Sequence, residues 1–183
     1  MSSLLFLIYL NDIENNIKSD ISLFADDVAL LNQFENNNTL ENEINRDLET
    51  LNEWADKWNM DFNPTKTKMV IFSNKHIKSK PKIQLKGEQI EQVSSHKHLG
   101  VFLSQDMKWT THIDHSIKKV KKKLGLLRRQ SRNLLNKQKI DIYKTIIRPV
   151  FEYGSILFDN CSIGDSLKLE VANVLPPSYA LAQ

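Results

Sequence analysis

Two adjacent aspartates, Asp26 and Asp27, stand between the apolar runs Ile21-Ser22-Leu23-Phe24 and Val28-Ala29-Leu30-Leu31, and this pair constrains the chain more than any other feature. Short apolar runs on either side of a polar break predict a strand, a tight turn and a strand. Successive side chains on a strand point to opposite faces, so two neighbouring carboxylates cannot both be buried without a partner. A metal ion is the natural partner. Mg²⁺ takes oxygen ligands and usually binds through one or two carboxylates plus substrate phosphates, so an Asp pair raised on a hairpin tip suits phosphoryl transfer. The competing reading is structural, because Asp commonly serves turns by hydrogen bonding to its own backbone.

The rest of the chain supplies a core for such a hairpin. Leu4-Leu5-Phe6-Leu7-Ile8-Tyr9-Leu10 is too short to span a bilayer and has neither a basic residue before it nor a small-residue cleavage site after it, which predicts a buried helix or strand rather than a signal peptide. Leu40, Ile44, Leu48, Leu51, Trp54 and Trp58 recur at intervals of four and three, the stripe of an amphipathic helix, with Asn38 and Glu41 as its expected cap. Asn63-Pro64 ends that unit, and Met69-Val70-Ile71-Phe72 is a strand candidate. Lys75 to Lys82, with Pro81, reads as a loop. A hairpin is expected with Lys86-Gly87 as its turn, followed by a strand Leu99-Gly100-Val101-Phe102-Leu103. Helical spacing takes over at Ile113, Ile117, Val120, Leu124 and Leu127. A second helix through Ile140, Tyr143, Ile146 and Ile147 is expected to stop at Arg148-Pro149. The change of character places a soft boundary near residue 107, and from Val174 through Pro176-Pro177 the pattern is lost, as in an irregular tail.

Charge is distributed unevenly over the 183 residues, although the formal net charge is only +3. Between Glu35 and Asp61 eight acids face Arg46 and Lys57, whereas between Lys118 and Lys139 there are ten basic residues and no acid. A helix without acids forgoes i to i+4 ion pairs, which favours a polyanion footprint over an ordinary solvated face. Cys161 is the only cysteine, so an intrachain disulfide is impossible and a reducing, intracellular setting fits. His96 with His98 and His112 with His115 have spacings that imitate a zinc site, but no thiolate is near them in sequence and zinc is not expected. Trp54, Trp58 and Trp109 read as core anchors.

Taken together, Ser2-Ser3-Leu4-Leu5-Phe6, Asn11-Asp12 and Phe24-Ala25-Asp26-Asp27 resemble reverse transcriptases of non-LTR retrotransposons, the jockey-like and LINE-type elements. Ser3 departs from the family pattern, which has Pro there. The resemblance continues through Leu51-Asn52-Glu53-Trp54, Trp58, Asn63-Pro64-Thr65-Lys66-Thr67-Lys68, His98-Leu99-Gly100-Val101, Asp106, Trp109 and Arg148-Pro149-Val150-Phe151-Glu152-Tyr153-Gly154, and so covers the chain to about Val171. It implies an α+β fold: residues 1–107 as a partial polymerase palm of antiparallel hairpins with a packed helix, 108–172 as an α-helical thumb, and 173–183 as tail. It further implies template-directed nucleotidyl transfer by two metal ions, Mg²⁺ as cofactor, and an RNA template, a DNA primer and dNTPs as partners, with no membrane. The sequence is silent on oligomeric state and on nuclear against cytoplasmic location.

By the same resemblance Asp26 is the metal ligand of the turn, and Asp27 its neighbour at the metal and primer end. Lys66 takes the place of a lysine facing the triphosphate, with Lys68 a near alternative. Leu99-Gly100 falls at the primer-grip hairpin, where Gly100 allows close approach of a nucleic-acid strand or is simply a strand glycine. Lys118, Lys119, Lys121, Lys122, Lys123, Arg128, Arg129 and Arg132 become phosphate contacts of the thumb. A two-metal site needs a further carboxylate, which the family carries upstream of the Ser-Pro-Leu-Leu-Phe segment; Asp12 and Asp106 are no substitutes. The expectation is a polymerase segment inactive by itself, with a non-catalytic nucleic-acid- or protein-binding remnant as the alternative.

Overall fold

Apolar residues at helical and strand spacing organise the structure, a computed structural model that describes residues 3–34, 36–73, 81–130 and 134–181. Two compact units result, Met1–Val93 and Ser94–Gln183. The parting after Val93 differs from the change of sequence character near 107, because the hairpin before that point packs within the later unit.

In the first unit, helix α1 (Ser3–Tyr9) leads through a turn to the antiparallel hairpin of β1 (Asp20–Phe24) and β2 (Asp27–Leu31), in which Phe24 pairs with Asp27 and Asp20 with Leu31. Helix α2 (Asn37–Lys57) then supplies the main apolar stripe. Its cap is Asn36 rather than Asn38: the Asn36 side chain accepts from the Thr39 amide at 2.9 Å. Leu48, Leu51, Trp54 and Ala55 of α2 join Leu10, Ile13, Ile83, Leu85 and Ile90 in one core, against which Ile21, Val28 and Leu30 of the hairpin are packed. Expected burial fails for much of α1. Leu4 and Ile8 are each 65% exposed, because Phe6, Leu10 and Ile13 form the inward stripe and a seven-residue helix offers no second covered face.

Of the expected strand at 69–72 only β3 (Lys68–Met69) enters a ladder, pairing in parallel with β6 (Glu91–Gln92). Residues 74–80 of the expected loop lie outside the described residues. Beyond them β4 (Gln84–Leu85) and β5 (Glu88–Gln89) form the expected hairpin. Its turn residues Lys86 and Gly87 both have positive φ, 53° and 77°, the pattern of a type I′ turn.

The second unit begins with the hairpin of β7 (Ser95–His98) and β8 (Val101–Ser104). Leu99-Gly100 is its turn, not strand interior. Helix α3 (Thr110–Gln130) buries Ile113, Ile117 and Val120 against Ile147, Phe151, Phe158 and Ala172. Pro149 does not end the next helix. Instead α4 (Asn136–Ile142) continues through a π turn, Tyr143–Ile147, into α5 (Arg148–Glu152). A proline ring collides with the carbonyl four residues earlier in a regular helix, and the widened turn accommodates it. A 3₁₀ turn (Ser155–Phe158) leads to α6, which runs from Ile163 to Leu181. Helix runs to Leu181 where an irregular tail was expected. The whole is a mixed α+β arrangement of helices and two-stranded sheets.

A candidate metal-binding turn and nucleic-acid surface

The hairpin carrying the Asp pair is held at its base by a buried acid. Asp47, fully buried on α2, accepts hydrogen bonds from the Ser19 amide at 2.8 Å, the Ser19 hydroxyl at 2.6 Å and the Lys18 amide at 3.2 Å. Burial pushes its carboxyl up, but these hydrogen bonds and the Arg46 guanidinium outweigh burial and hold it below the ordinary carboxylate value. The Asn32 amide continues the network to Ser19 Oγ and Glu43, so both strands are tied to α2 at the base of the hairpin. Asp47 is a structural support of the hairpin that the sequence did not single out. Its signal was available: residue 47 falls three after Ile44 and four before Leu51, on the apolar stripe, where an acid needs an explanation.

At the other end the backbone reverses through Ala25, whose φ is 53°. A non-glycine residue in the left-handed region costs about 1–2 kcal/mol, and such strain gathers at functional turns. Asp26 occupies the turn and Asp27 opens β2, both exposed. Among the described residues no group of three His, Cys, Asp or Glu side chains is placed to hold a metal. The two carboxylates are hard oxygen donors suited to Mg²⁺, and they can fill only part of one ion's coordination shell.

Lys66 and Lys68, interchangeable by sequence, are separated by the structure. The Lys68 ammonium is engaged by Glu91 at 2.6 Å and by the Thr65 carbonyl at 2.9 Å, whereas the exposed Lys66 ammonium has no partner among the described residues. The Asn63 side chain accepts from the Thr65 and Lys66 amides and so fixes the backbone there. Beside β2 and α2 lies an open cleft of about 1150 Å³ lined mainly by Leu30, Leu40, Ile44, Phe62, Met69 and Ile71; Asp26, Asp27 and Lys66 are not on its wall.

Other motif residues serve packing. The Trp54 indole N–H donates to Asp12 Oδ1 at 2.7 Å, and the Tyr9 ring meets Trp58 edge-on at 4.9 Å while its hydroxyl donates to the Trp58 carbonyl.

In the second unit, Gly100 sits at φ 84° with Leu99 at φ 45° before it. A Cβ on Gly100 would lie 2.9 Å from Cε1 of Tyr153, whose hydroxyl donates to the Leu99 carbonyl at 2.5 Å. The basic stretch divides by role. Lys118, Lys119, Lys121 and Lys122 project from α3 to solvent, as do Arg128 and Arg129 in its last turn. Lys123 instead donates to the Ile146 carbonyl at 3.0 Å and joins α3 to the π turn. Arg132 lies outside the described residues. His112 is buried: its Nδ1 accepts from the Phe102 amide at 3.4 Å, and its Nε2 has no partner among the described residues. Burial, then the nearby charges of His115 and Lys97, depress its basicity.

The sequence is similar to known proteins over most of its length. Residues 1–126 match the family described as reverse transcriptase (RNA-dependent DNA polymerase). The chain is 29% identical over 137 residues to an RNA-directed DNA polymerase from mobile element jockey of Drosophila funebris. Identity to the jockey polymerase of Drosophila melanogaster is 28% over 137 residues, and to a probable RNA-directed DNA polymerase from transposon X-element of the same species 28% over 141 residues. These alignments cover 73 to 75% of the chain but only 15% of each relative's length. No solved structure matches significantly.

Proposed function

Since residues 1–126 match its family, the chain belongs to the reverse transcriptases, and we propose that it is the distal palm and thumb of a retrotransposon RNA-directed DNA polymerase that binds primer-template duplex but does not extend it alone. The observation that carries this reading is the exposed Asp26-Asp27 pair at the tip of an antiparallel hairpin, with its base locked to α2. In this role Asp26 ligates the metal and Asp27 shapes the metal and primer end. Mg²⁺, when bound, supplies positive charge for the phosphates of the incoming nucleotide. Lys66, whose ammonium has no partner among the described residues, faces the triphosphate. The hairpin around Leu99-Gly100 supports the primer strand, and Lys118, Lys119, Lys121, Lys122, Arg128 and Arg129 neutralise backbone phosphates, giving affinity without sequence preference. Two carboxylates on one tip cannot enclose two ions, and among the described residues no third His, Cys, Asp or Glu side chain joins them.

A homopolymer-template extension assay with Mg²⁺ tests the first half. No dNTP incorporation is expected, and clear incorporation that Asp26→Ala abolishes would overturn it. Duplex binding measured across a salt series tests the second: log affinity should fall linearly with log salt, and an affinity insensitive to salt would reject a phosphate-contacting surface.

A further inference from the structure

The turn between β7 and β8 repeats the pattern of positive φ seen at Lys86-Gly87, but here a side chain distant in sequence closes on it. Leu99 at φ 45° and Gly100 at φ 84° place two successive residues in the left-handed region, and only the second is a glycine. A leucine there is strained by about 1–2 kcal/mol, and contacts to the turn help to hold it. Tyr153 supplies two such contacts. Its backbone N–H donates to the Pro149 carbonyl at 3.0 Å, anchoring it at the end of α5. Its hydroxyl reaches across 54 positions of sequence to the Leu99 carbonyl, and its ring lies so close to Gly100 that a Cβ would meet Cε1 at 2.9 Å. Gly154 follows at φ 72°, and a Cβ on it would meet Val101 Cγ2 at 3.4 Å. Strand β8 just beyond the turn is held separately, by the Phe102 amide on His112 and by the Phe102 ring against His115 at 4.8 Å. Glycine at position 100 is favoured both by its φ of 84° and by the nearness of the Tyr153 ring.

We propose that Tyr153 is a positioning residue that clamps the Leu99-Gly100 turn in the conformation that meets the nucleic acid. This rests on the duplex-binding reading given above. The Tyr153 side chain is more than half exposed and fills no core position, so its hydroxyl does little for global stability; what it fixes is the direction of the Leu99 carbonyl and the two peptide planes of the turn. A turn free to leave the left-handed region must be reordered whenever a strand docks, and the affinity falls by the share of molecules that have left it.

The experiment compares the full chain with Tyr153→Phe, Tyr153→Phe/Leu99→Asn and Lys121→Gln/Lys122→Gln for binding to an RNA–DNA primer-template duplex, alongside thermal unfolding. Removing the hydroxyl is expected to weaken binding about five-fold, the value of one hydrogen bond, with the salt slope unchanged because no phosphate contact is lost. Its Tm should stay within about 2 °C of wild type. Adding Leu99→Asn, a residue that tolerates left-handed backbone, should restore most of the lost affinity. Equal binding by Tyr153→Phe and wild type overturns the clamp, as does a loss that Leu99→Asn leaves unrepaired or that follows a fall in Tm. Absence of any duplex binding by wild type overturns the functional reading itself. Wild-type binding that Lys121→Gln/Lys122→Gln weakens while Tyr153→Phe does not leaves that reading standing and rejects only the clamp.

Discussion

A carboxylate with no solvent exposure stays ionised only where hydrogen bonds replace its water, and Asp47 has three from Lys18 and Ser19. Asp47→Ala leaves those donors unsatisfied and should lower the stability of the first unit by about 2–4 kcal/mol, read as a reduced urea midpoint. Because the folded carboxyl is held below its ordinary value, the stability it contributes is fully present above about pH 4 and is lost as pH falls through the folded value. Asp47→Asn should flatten that acid limb. His112 acts at higher pH. Its folded basicity is depressed by burial, so below about pH 6.5 the unfolded chain takes up a proton that the folded one refuses, and stability falls with pH. Thermal melts between pH 7.5 and pH 5.5, a range chosen to bracket the ordinary histidine value, should show Tm dropping on the acid side. His112→Phe should reduce that slope whatever it does to the level, and an unchanged slope would show that another group titrates.

At the scale of elements, the basic helix is two devices on one segment. Lys121 and Lys122 face solvent, and Lys123 ties α3 to the π turn through the Ile146 carbonyl. Neutralising Lys121 and Lys122 together should weaken duplex binding and reduce the slope of log affinity against log salt by about one for each phosphate contact removed. Lys123→Met should instead lower the unfolding midpoint while leaving the slope near wild type; a salt slope reduced by Lys123→Met would return that lysine to the binding surface. Elements whose signal is periodic were legible in sequence: α2, α3 and the hairpin around Asp26 lie where the spacing puts them. The Leu99-Gly100 turn and the π turn before Pro149 were not, because a glycine in an apolar run and a proline in a helical run each allow more than one backbone solution, and packing selects among them.

For the whole molecule, each of the two units has its own core, yet a sizeable apolar surface in the first unit stays uncovered. Leu4, Leu5, Leu7 and Ile8 of α1 are all more than half exposed, and so is Phe24 beside the Asp pair. Patches of this kind promote self-association. Replacing Leu4 and Ile8 by Gln should raise the concentration at which light scattering stays monodisperse, with Tm changed by less than about 2 °C. A marked loss of Tm would mean those side chains are buried in solution.

The sequence alone determined the family, the hairpin with its Asp pair, the α2 stripe and the basic segment, because each is written in residues close together along the chain, in spacing or in short motifs. Tertiary structure alone decided which of those residues are free to act. Asp47 reaching Ser19, Glu91 taking Lys68, Ile146 taking Lys123 and Tyr153 closing on Leu99 are contacts between residues 23 to 54 positions apart or between separate elements. Local spacing carries no information about such meetings, and they exist only once the cores have packed.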